Sequence, residues 1–240
     1  MGYVTVFKRY EIKYLLDEKT LSRLMPLIKE HMAPDAYAKS SIRSLYFDTC
    51  DYRLVRRSVE KPIYKEKLRL RCYGTVGADD TVFAEIKKKY DHVVYKRRLP
   101  LAEADAMAWL TGRRPSPVNT QIAREIDYFL SFYGPLRPTV FLSYEREAFV
   151  SREDSGLRLT LDRKVLVETA ALSLTHPPCG IPLLPGDKVL MEVKCGGGMP
   201  LWLTRALSAE RIYKTSFSKY GTAYSRIILP NLRHDKKEIL

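Results

Sequence analysis

Alternation between cations and apolar residues along residues 67–71 constrains the fold of this chain more than any other feature. The segment reads Lys-Leu-Arg-Leu-Arg inside an extended run, residues 63–73. Successive side chains of a β-strand point to opposite faces, so the three cations share one face and the two leucines share the other. A solvated strand usually mixes charges of both signs, because like charges at neighbouring positions repel. Taken alone, this segment fits an ordinary surface strand and an anion-binding face equally well.

Three further segments repeat a charged face backed by an apolar face: residues 9–13, 83–89 and 190–194. In one of them Glu85, Lys87 and Lys89 share a face, and in another Glu192 and Lys194 do. Many long strands with one polar face each are what a closed barrel around a water-filled lumen needs. An open sheet would give those faces to solvent.

Hydrophobic periodicity predicts an α+β chain with mostly antiparallel strands. Strands are predicted over residues 3–16, 41–49, 63–73, 83–89, 93–99, 138–151, 157–168 and 188–195. Helices are predicted over residues 18–31 with Asp17 as N-cap, 101–111, 119–132, 200–209 and up to residue 228, with a short helix or turn at 51–59, a loop around Pro34 and a Pro-rich loop at 177–185. We expect an antiparallel β-barrel with peripheral helices, forming a single domain over residues 1–230 followed by a charged tail, residues 231–240.

The net charge indicates an anionic partner. Lys and Arg number 41 against 28 Asp and Glu, which gives a formal net charge of +13. Nucleic acid, a membrane surface and a phosphorylated ligand all satisfy such an excess, and the sign of the charge does not choose among them.

Cysteine spacing and hydropathy bear on the compartment. Cys50, Cys72, Cys179 and Cys195 form no CxxC pair, so we expect reduced thiols and no zinc site. No apolar h-region follows Met1, and no stretch approaches the roughly 20 apolar residues that a membrane-spanning helix needs. The expected location is cytoplasmic, without a membrane segment in this chain.

Charged residues on the predicted strands form a candidate inward-facing set in which cations outnumber carboxylates. Its members are Arg9, Glu11, Lys13, Lys67, Arg69, Arg71, Glu85, Lys87, Lys96, Arg98, Arg146, Arg158, Asp162, Glu192, Lys194 and Lys219. Confined cations repel one another unless a polyanion neutralises them. Arginine forks bind phosphate oxygens, lysines add point charge, and a few carboxylates suit a divalent cation. Phosphoryl transfer asks little beyond such positioning and neutralisation.

The order of the motifs resembles a known family over residues 5–228. The motifs are Arg9-x-Glu11-x-Lys13-Tyr14, Ser44-Leu45-Tyr46-Phe47-Asp48-Thr49, Lys67-x-Arg69-x-Arg71, Phe83-x-Glu85-x-Lys87, Tyr144-x-Arg146, Arg158-x-Thr160-x-Asp162, Glu192-x-Lys194 and Ser216-x-Ser218-Lys219-Tyr220. They resemble the VTC domain, the catalytic domain of the vacuolar transporter chaperone polyphosphate polymerases, within the triphosphate tunnel metalloenzyme superfamily. One such motif is weak support, whereas eight in order are strong.

The resemblance implies an eight-stranded antiparallel tunnel that transfers the γ-phosphate of ATP to a growing inorganic polyphosphate chain, with Mn²⁺ or Mg²⁺. By motif, the catalytic phosphate clamp would be Lys13, Arg69, Arg71, Lys87, Arg146 and Lys219. Further phosphate-binding residues would be Lys67, Lys96, Arg98, Tyr144, Arg158, Lys194 and Ser218. Glu192 would hold the metal.

One departure from the wider superfamily favours the polymerase branch. Related triphosphatases and adenylate cyclases begin with Glu-x-Glu-x-Lys, whereas this chain has Arg9 at the first position. A cation in place of a carboxylate weakens metal-rich hydrolytic chemistry and favours holding an anionic product. We also expect no regulatory helical region before the domain and no membrane segment after it, so that control and coupled export would be absent or would need another protein, such as a membrane-protein partner.

Two other functions stay open from the sequence. One is a tunnel hydrolase acting on inorganic triphosphate or nucleoside triphosphates. The other is a non-enzymatic module that binds RNA or stored polyphosphate. Nucleic acid is not the expected partner, because Leu, Ile and Val stand between the cations where single-strand binders place aromatic residues. The oligomeric state is also open.

Several residues have two interpretations. Glu11 is a second metal ligand or the partner of Arg9 or Lys13, and Glu85 is a functional group or a charge balancer. Asp162 pairs with Arg158 or a neighbouring lysine, or else it positions a metal or water. Tyr46 and its neighbour Phe47 are expected in the core or wall more than in nucleotide stacking.

Overall fold

The computed structural model describes residues 10–91, 93–154 and 156–235. The first five residues of the resembling region, which include Arg9, lie outside the described residues, as do the start of the first predicted strand and the second half of the predicted tail.

In the residues that the structure describes, nine strands form one mostly antiparallel sheet. They are β1 (Tyr10–Asp17), β2 (Met32–Asp48), β3 (Tyr64–Tyr73), β4 (Thr81–Tyr90), β5 (Val93–Ala102), β6 (Arg137–Ser151), β7 (Arg158–Glu168), β8 (Ile181–Pro182) and β9 (Lys188–Cys195). The hydrogen-bonded order is β1-β9-β7-β6-β2-β3-β4-β5, and the two-residue β8 pairs with β7 beside this path. An eight-stranded path with helices is the class that the sequence predicts.

Seven α-helices accompany the sheet in the described part of the chain. They are α1 (Glu18–His31), α2 (Arg53–Val59), α3 (Glu103–Leu110), α4 (Gln121–Tyr133), α5 (Leu201–Ala209), α6 (Lys219–Ala223) and α7 (Leu229–Asp235), with a π-helical segment at Tyr224–Ile228 between the last two. Asp17 caps α1 as expected, because its Oδ1 accepts a hydrogen bond from the Thr20 amide at 2.6 Å.

The chain divides into two compact units. The first comprises Met1–Ser41, Tyr144–Val165 and Leu184–Phe217, and the second comprises Ile42–Ser143, Leu166–Leu183 and Ser218–Leu240. Three strands, β2, β6 and β7, contribute to both units. The expectation of a single domain over residues 1–230 stays a prediction.

Each unit has its own apolar core. In the second unit Leu68, Leu70, Ala84 and Ile86 come from the apolar faces of β3 and β4, and they are fully buried together with Ile126 of α4. In the first unit the inward residues of α1 and α5 bury the apolar faces of β1, β7 and β9 in the same way. The helices therefore cover the apolar faces of the strands, as their periodicity predicts, and leave the opposite faces to the charged residues.

The structure corrects the loop predicted around Pro34. The backbone passes from the end of α1 directly into β2, which includes Pro34 as its third residue. Proline fits extended backbone, and near the start of a strand its missing N–H removes no essential ladder bond. A proline alone was therefore insufficient reason to predict a loop.

Removing part of the second unit's core tests this packing. Ile86→Ala leaves a cavity beneath α4, so we expect the free energy of unfolding to fall by about 3 kcal/mol in urea denaturation. Ile181→Ala is the matched control, because Ile181 is exposed and the same truncation should change stability by less than about 0.5 kcal/mol. Equal losses in the two variants would contradict the described core.

Candidate functional site

Strand register places most of the predicted phosphate-binding residues of the second unit on one face. Arg69 of β3 lies opposite Tyr46 of β2 and Glu85 of β4, and Glu85 lies opposite Arg98 of β5. In the neighbouring row, Lys67, Lys87 and Lys96 lie opposite one another. Directly opposite side chains in an antiparallel pair are close neighbours, so the cations of three strands form one cluster. We call Lys67, Arg69, Arg71, Lys87, Lys96 and Arg98 the cationic cluster.

Glu85 lies at the centre of the cationic cluster and is almost fully buried. Its Oε2 accepts hydrogen bonds from Nε and Nη2 of Arg69 at 2.9 and 2.8 Å, and Nε of Arg71 lies 3.8 Å away. On the other side, Lys96 Nζ and Arg98 Nε lie 2.6 and 3.5 Å from Oε1. One carboxylate therefore has four cationic partners.

These cations control the ionisation of Glu85. Burial alone would raise the pKa of this carboxyl, but the charges of Arg69, Arg71 and Lys96 lower the pKa to about 2. Burial lowers the pKa of Lys96, and the charges of Arg69 and Arg71 lower it further, whereas the attraction to Glu85 raises it. The net result is a pKa of about 8. The glutamate thus stays charged at neutral pH, and one of its partners titrates close to neutrality.

Tyr46 adds a buried hydroxyl to the cationic cluster. Its Oη accepts a hydrogen bond from Nη1 of Arg69 at 2.8 Å, and its ring stacks on Tyr220 with centroids 4.7 Å apart. Burial would raise the pKa of Tyr46, but Arg69, Lys67 and Arg71 lower it to about 8. Arg69 is therefore oriented from two sides, by the carboxylate of Glu85 and by the phenol of Tyr46.

A second buried carboxylate supports the stacked tyrosines. Tyr220 donates a hydrogen bond from its hydroxyl to Oδ2 of Asp48 at 2.7 Å. Asp48 also accepts hydrogen bonds from the backbone amides of Leu54 and Val55 at the start of α2, at 2.8 and 2.9 Å. Burial raises the pKa of Asp48, although these hydrogen bonds oppose the rise. The position of Tyr220 is thereby tied to the first turn of α2.

The terminal motif also reaches the cationic cluster. Lys67 Nζ lies 3.0 Å from Oγ of Ser218, and the same ammonium group lies 5.9 Å from the centre of the Tyr220 ring. Ser218 is the N-cap of α6 and accepts a hydrogen bond from the Gly221 amide at 3.2 Å. Lys219, which begins α6, is half-buried. The structure therefore joins Lys67 and Ser218 directly and places Lys219 next to them in the chain.

The first unit contains a second group of predicted site residues, with more balanced charge. Lys13 Nζ lies 3.2 Å from Glu11, 3.6 Å from Glu192 Oε1 and 3.0 Å from the carbonyl oxygen of Phe217. Glu11 is therefore a partner of Lys13, which is one of its two predicted interpretations. Glu192 connects this lysine to Arg146, whose Nη2 lies 3.3 Å from Oε2. We call Glu11, Lys13, Arg146, Asp162 and Glu192 the mixed-charge cluster.

Arg146 is held by a bidentate ion pair that the sequence does not predict. Its Nε and Nη2 donate to the two carboxylate oxygens of Asp162 at 2.6 and 2.7 Å, and its guanidinium carbon lies 5.3 Å from the centre of the Tyr144 ring. Burial would lower the pKa of Arg146, but Tyr144 and Asp162 raise it well above its ordinary value. The charge of this arginine is thus secured in a buried position.

Both sequence-based interpretations of Asp162, pairing with Arg158 or a neighbouring lysine and positioning of a metal or water, stay predictions. Asp162 pairs with Arg146 on the neighbouring strand β6, whereas Arg158 forms an ion pair with Asp35 of β2 and is exposed. Asp162 and Arg158 share a face of β7 but stand four positions apart along the strand. Each therefore meets different residues of the neighbouring strands. Lys194 lies opposite both Glu11 and Arg158 in register. Arg158 is accordingly a predicted phosphate-binding residue that lies outside the mixed-charge cluster.

The mixed-charge cluster fits a metal that is shared with a ligand. In the described ranges no three His, Cys, Asp or Glu residues are grouped so as to enclose a metal ion. Glu192 nevertheless has Thr160 directly opposite in register, and the buried Oγ1 of Thr160 makes no hydrogen bond to a described residue. Mg²⁺ commonly binds one or two carboxylates and completes its shell with water and substrate phosphates. Glu192 and Thr160, with Glu11 nearby, supply that kind of partial site.

The structure also identifies site residues to which the sequence motifs assign no role in the site. Tyr46 and Tyr220 lie inside recognised motifs, yet alternation alone places them on a strand face or helix without showing that one holds Arg69 and stacks on the other. Thr160 stands between Arg158 and Asp162 in the seventh strand, and its burial is the only signal that distinguishes it from a solvent-exposed threonine. These roles depend on partners from distant segments.

The bidentate pair of Arg146 can be tested by comparing two Asp→Asn variants of the first unit. Asp162→Asn removes one partner of a buried ion pair, so we expect the free energy of unfolding to fall by about 3 kcal/mol. Asp35→Asn removes the partner of the more exposed Arg158, and a loss below about 1 kcal/mol is expected. Urea denaturation measures both values. A loss in Asp162→Asn no greater than in Asp35→Asn would show that the pair does not hold Arg146.

The lowered pKa of Glu85 predicts how acid affects stability. The folded-state pKa is about 2 and the ordinary value is 4.5, so the contribution of Glu85 is fully present above pH 4.5 and disappears as the pH falls through 2. Its size is about 3 kcal/mol. We expect Glu85→Gln to lose stability relative to the parent at pH 6, and this difference should narrow progressively between pH 4.5 and pH 2. A difference that is independent of pH would rule out the ionised state of Glu85 as its source.

The comparison with known protein families matches nearly the same part of the chain as the sequence motifs do. The profile of the VTC domain family matches residues 8–228. The chain is 25% identical over 215 residues to a protein of Trypanosoma brucei brucei named vacuolar transporter chaperone complex subunit 4. It is 26% identical over 186 residues to the protein of that name from Schizosaccharomyces pombe. These alignments cover 71% and 65% of this chain but 27% and 26% of the relatives, so the chain spans about a quarter of their length.

A solved structure shows the same fold at low sequence identity. A candidate adenylate cyclase from Bacillus halodurans superimposes with a TM-score of 0.55 over 89% of this chain and 94% of its own length, at 17% identity. This similarity supports the predicted fold class. At 17% identity it supports nothing beyond the fold. Within the described residues no helix is both long and apolar enough to cross a membrane. Because the family profile covers nearly the whole chain and its motifs build both clusters, this chain belongs to the VTC domain family.

Proposed function

We propose that this chain is a polyphosphate polymerase that transfers the γ-phosphate of ATP to a growing inorganic polyphosphate chain with the help of Mn²⁺ or Mg²⁺. The observation that carries the proposal is the cationic cluster, in which the charges of six Lys and Arg side chains exceed the single carboxylate of Glu85. Membership of the VTC domain family supports the same reaction. A chain of phosphates is the ligand that matches several adjacent cations.

Fixed guanidinium groups suit the binding of phosphate oxygens. Nε, Nη1 and Nη2 of Arg69 are each held by Glu85 or Tyr46, so its plane is set before a ligand binds. The Nη atoms each carry a second hydrogen, and these can donate to phosphate oxygens in the forked geometry of arginine. Preorganised donors need little rearrangement when charge develops during transfer. Lys67, Lys87 and Lys96 would add charge around the same ligand.

Residues of the mixed-charge cluster would serve the metal and further phosphate oxygens. Glu192 and Thr160 would hold a divalent ion together with water and phosphate oxygens. When bound, such an ion neutralises phosphate charge and polarises the bond that breaks. Lys13 and Arg146 flank Glu192 and would bind phosphate oxygens beside it. Asp162 would act by holding Arg146 in place.

In-line transfer between phosphates needs no covalent protein intermediate. The attacking group is the terminal oxygen of the polyphosphate chain, and the leaving group is ADP. The chain's own residues would hold these two groups in position and stabilise their charge. The relatives named as subunits of a chaperone complex support a further part of the proposal, that the domain works with a partner protein. The proposed location remains cytoplasmic.

Product analysis tests the reaction. We expect the protein, incubated with ATP and Mn²⁺, to form ADP and phosphate chains longer than three units, detected on gels and by phosphorus NMR. Arg69→Ala removes the most firmly oriented donor of the cationic cluster, so the rate should fall by about a hundredfold.

The matched control is Arg56→Ala, which alters an exposed arginine of the same unit. Its rate should stay within about twofold of the parent, because exposed ion pairs contribute little. Release of orthophosphate without any chain longer than the substrate would contradict the polymerase activity and support a tunnel hydrolase. Binding of polyphosphate without ATP turnover would replace it with a polyanion-binding module.

A further inference from the structure

Five aromatic side chains of the second unit are exposed on the sheet face opposite the cationic cluster and on the helix that covers it. Tyr64, Tyr90 and Tyr95 come from β3, β4 and β5, while Tyr128 and Phe132 come from α4. Their exposed fractions range from 36% for Tyr64 to 67% for Tyr128. We call these five residues the aromatic patch. The outward face of a surface helix is ordinarily polar, so two aromatic residues one turn apart on α4 need an explanation.

The members of the aromatic patch adjoin one another. Tyr64 and Tyr90 are directly opposite in the β3–β4 register, and Tyr95 lies opposite Lys88, two residues from Tyr90. On α4 the rings of Tyr128 and Phe132 stack with centroids 6.2 Å apart. Tyr64 and Tyr133 both donate to Glu66, and Tyr133 packs against Phe132, so the sheet and helix parts of the patch are linked.

Hydrogen bonds fix the base of the patch. Glu66 accepts from the hydroxyl groups of Tyr64 and Tyr133 at 2.7 and 2.6 Å, one to each carboxylate oxygen. Tyr133 in turn packs edge-on against Phe132, with ring centroids 4.9 Å apart. Strand β3 and helix α4 are thus tied together beneath the exposed rings. An aromatic surface that is rigid before binding loses little conformational entropy when it is covered.

Charges around the aromatic patch favour an anionic partner. Arg53 lies 5.5 Å from the centre of the Tyr133 ring, and Arg57 lines a cavity with Tyr64 and Tyr133. Two nearby acids are engaged within the protein: Glu66 by the two tyrosines and by Lys88 at 3.9 Å, and Glu125 by an ion pair with Arg97. A second copy of this chain would bring the same cations to the same surface, so self-association through the patch is disfavoured.

The small cavity beside the patch and the chemistry of its side chains favour a bilayer over a folded protein. Protein interfaces concentrate their energy in side chains that fill pockets on the partner. The cavity beside the patch, between Arg57, Tyr64, Glu66 and Tyr133, has a volume of only 10 Å³, enough for a single water. A lipid headgroup layer needs no pocket, and tyrosines with an apolar ring and a polar tip beside basic residues suit its boundary.

We propose that the aromatic patch, with Arg53, Arg57 and Lys88 at its edge, docks the second unit on the surface of an anionic lipid bilayer. Phe132 and the ring of Tyr128 enter the headgroup region, while the tyrosine hydroxyls stay at its polar level. The arginines and the lysine contact acidic headgroups. The contact is peripheral and uses the face of the strands opposite the residues assigned to phosphate transfer, so it does not depend on the proposed reaction.

Sedimentation with vesicles tests this docking. The probes are vesicles of phosphatidylcholine alone and of phosphatidylcholine with about one-third phosphatidylserine, at about 0.15 M salt. We expect the parent protein to bind the vesicles that contain phosphatidylserine. The double variant Tyr128→Ser with Phe132→Ser should bind about tenfold more weakly. Tyr37→Ser, at an exposed tyrosine of the first unit, should bind like the parent. None of these substitutions changes the charge, so non-specific attraction of the basic chain is equal in all three proteins.

A tryptophan at the patch reports insertion directly. Tyr128→Trp should show a blue shift of tryptophan emission with the phosphatidylserine vesicles, after subtraction of the parent's own two tryptophans. Equal vesicle binding by the double variant and the parent, or an unchanged emission, would overturn the proposal. Equal binding to the neutral vesicles would overturn the role of the cations. A dimer that the double substitution abolishes would assign the patch to self-association instead.

Discussion

The ion pairs around Glu85 are the interaction on which the candidate site of the second unit depends. Cations placed on adjacent strands repel one another, and a sheet that presents them on one face needs an internal counter-charge in order to fold without a ligand. Glu85 supplies it to Arg69, Arg71, Lys96 and Arg98 at once. Because the carboxylate is one and the cations are several, the cluster keeps an excess of positive charge after the fold is formed. The same residue therefore permits folding and leaves the capacity to bind an anion.

The two units solve the same problem with different proportions of charge. In the first unit Lys13 and Arg146 face Glu11, Asp162 and Glu192, so positive and negative groups nearly balance. In the second unit the cations dominate. A balanced cluster can exchange an internal carboxylate contact for a metal ion, whereas a cation-rich cluster gains most from a polyanion. Apolar faces packed against helices secure both arrangements, because each charged strand face is backed by fully buried residues.

Sequence periodicity predicts which residues share a strand face, but it does not predict which residues pair across strands. Alternation placed Lys67, Arg69 and Arg71 on one face, and the structure agrees. Which residue faces which depends on register, and register is set by turns and by packing far from the strand itself. For this reason the sequence does not predict the pairing of Asp162 with Arg146 of the next strand. The loop expected around Pro34 is wrong for a related reason, because proline is a local signal and does not decide the conformation of the long strand that contains it.

Two groups of the cationic cluster, Tyr46 and Lys96, have pKa values of about 8, so the charge of this surface varies with pH near neutrality. Neighbouring cations lower the pKa of Tyr46, whereas burial is the largest cause of the low pKa of Lys96 and Arg69 and Arg71 lower it further. An anion that binds among Lys67, Arg69 and Arg71 opposes the influence of these cations, which shifts both pKa values upward and favours the protonated forms of the two side chains. The charge of this surface therefore depends on the bound anion. Protonation of Tyr46 and Lys96 makes the surface more positive when an anion binds, and their deprotonation makes it less positive when the anion leaves.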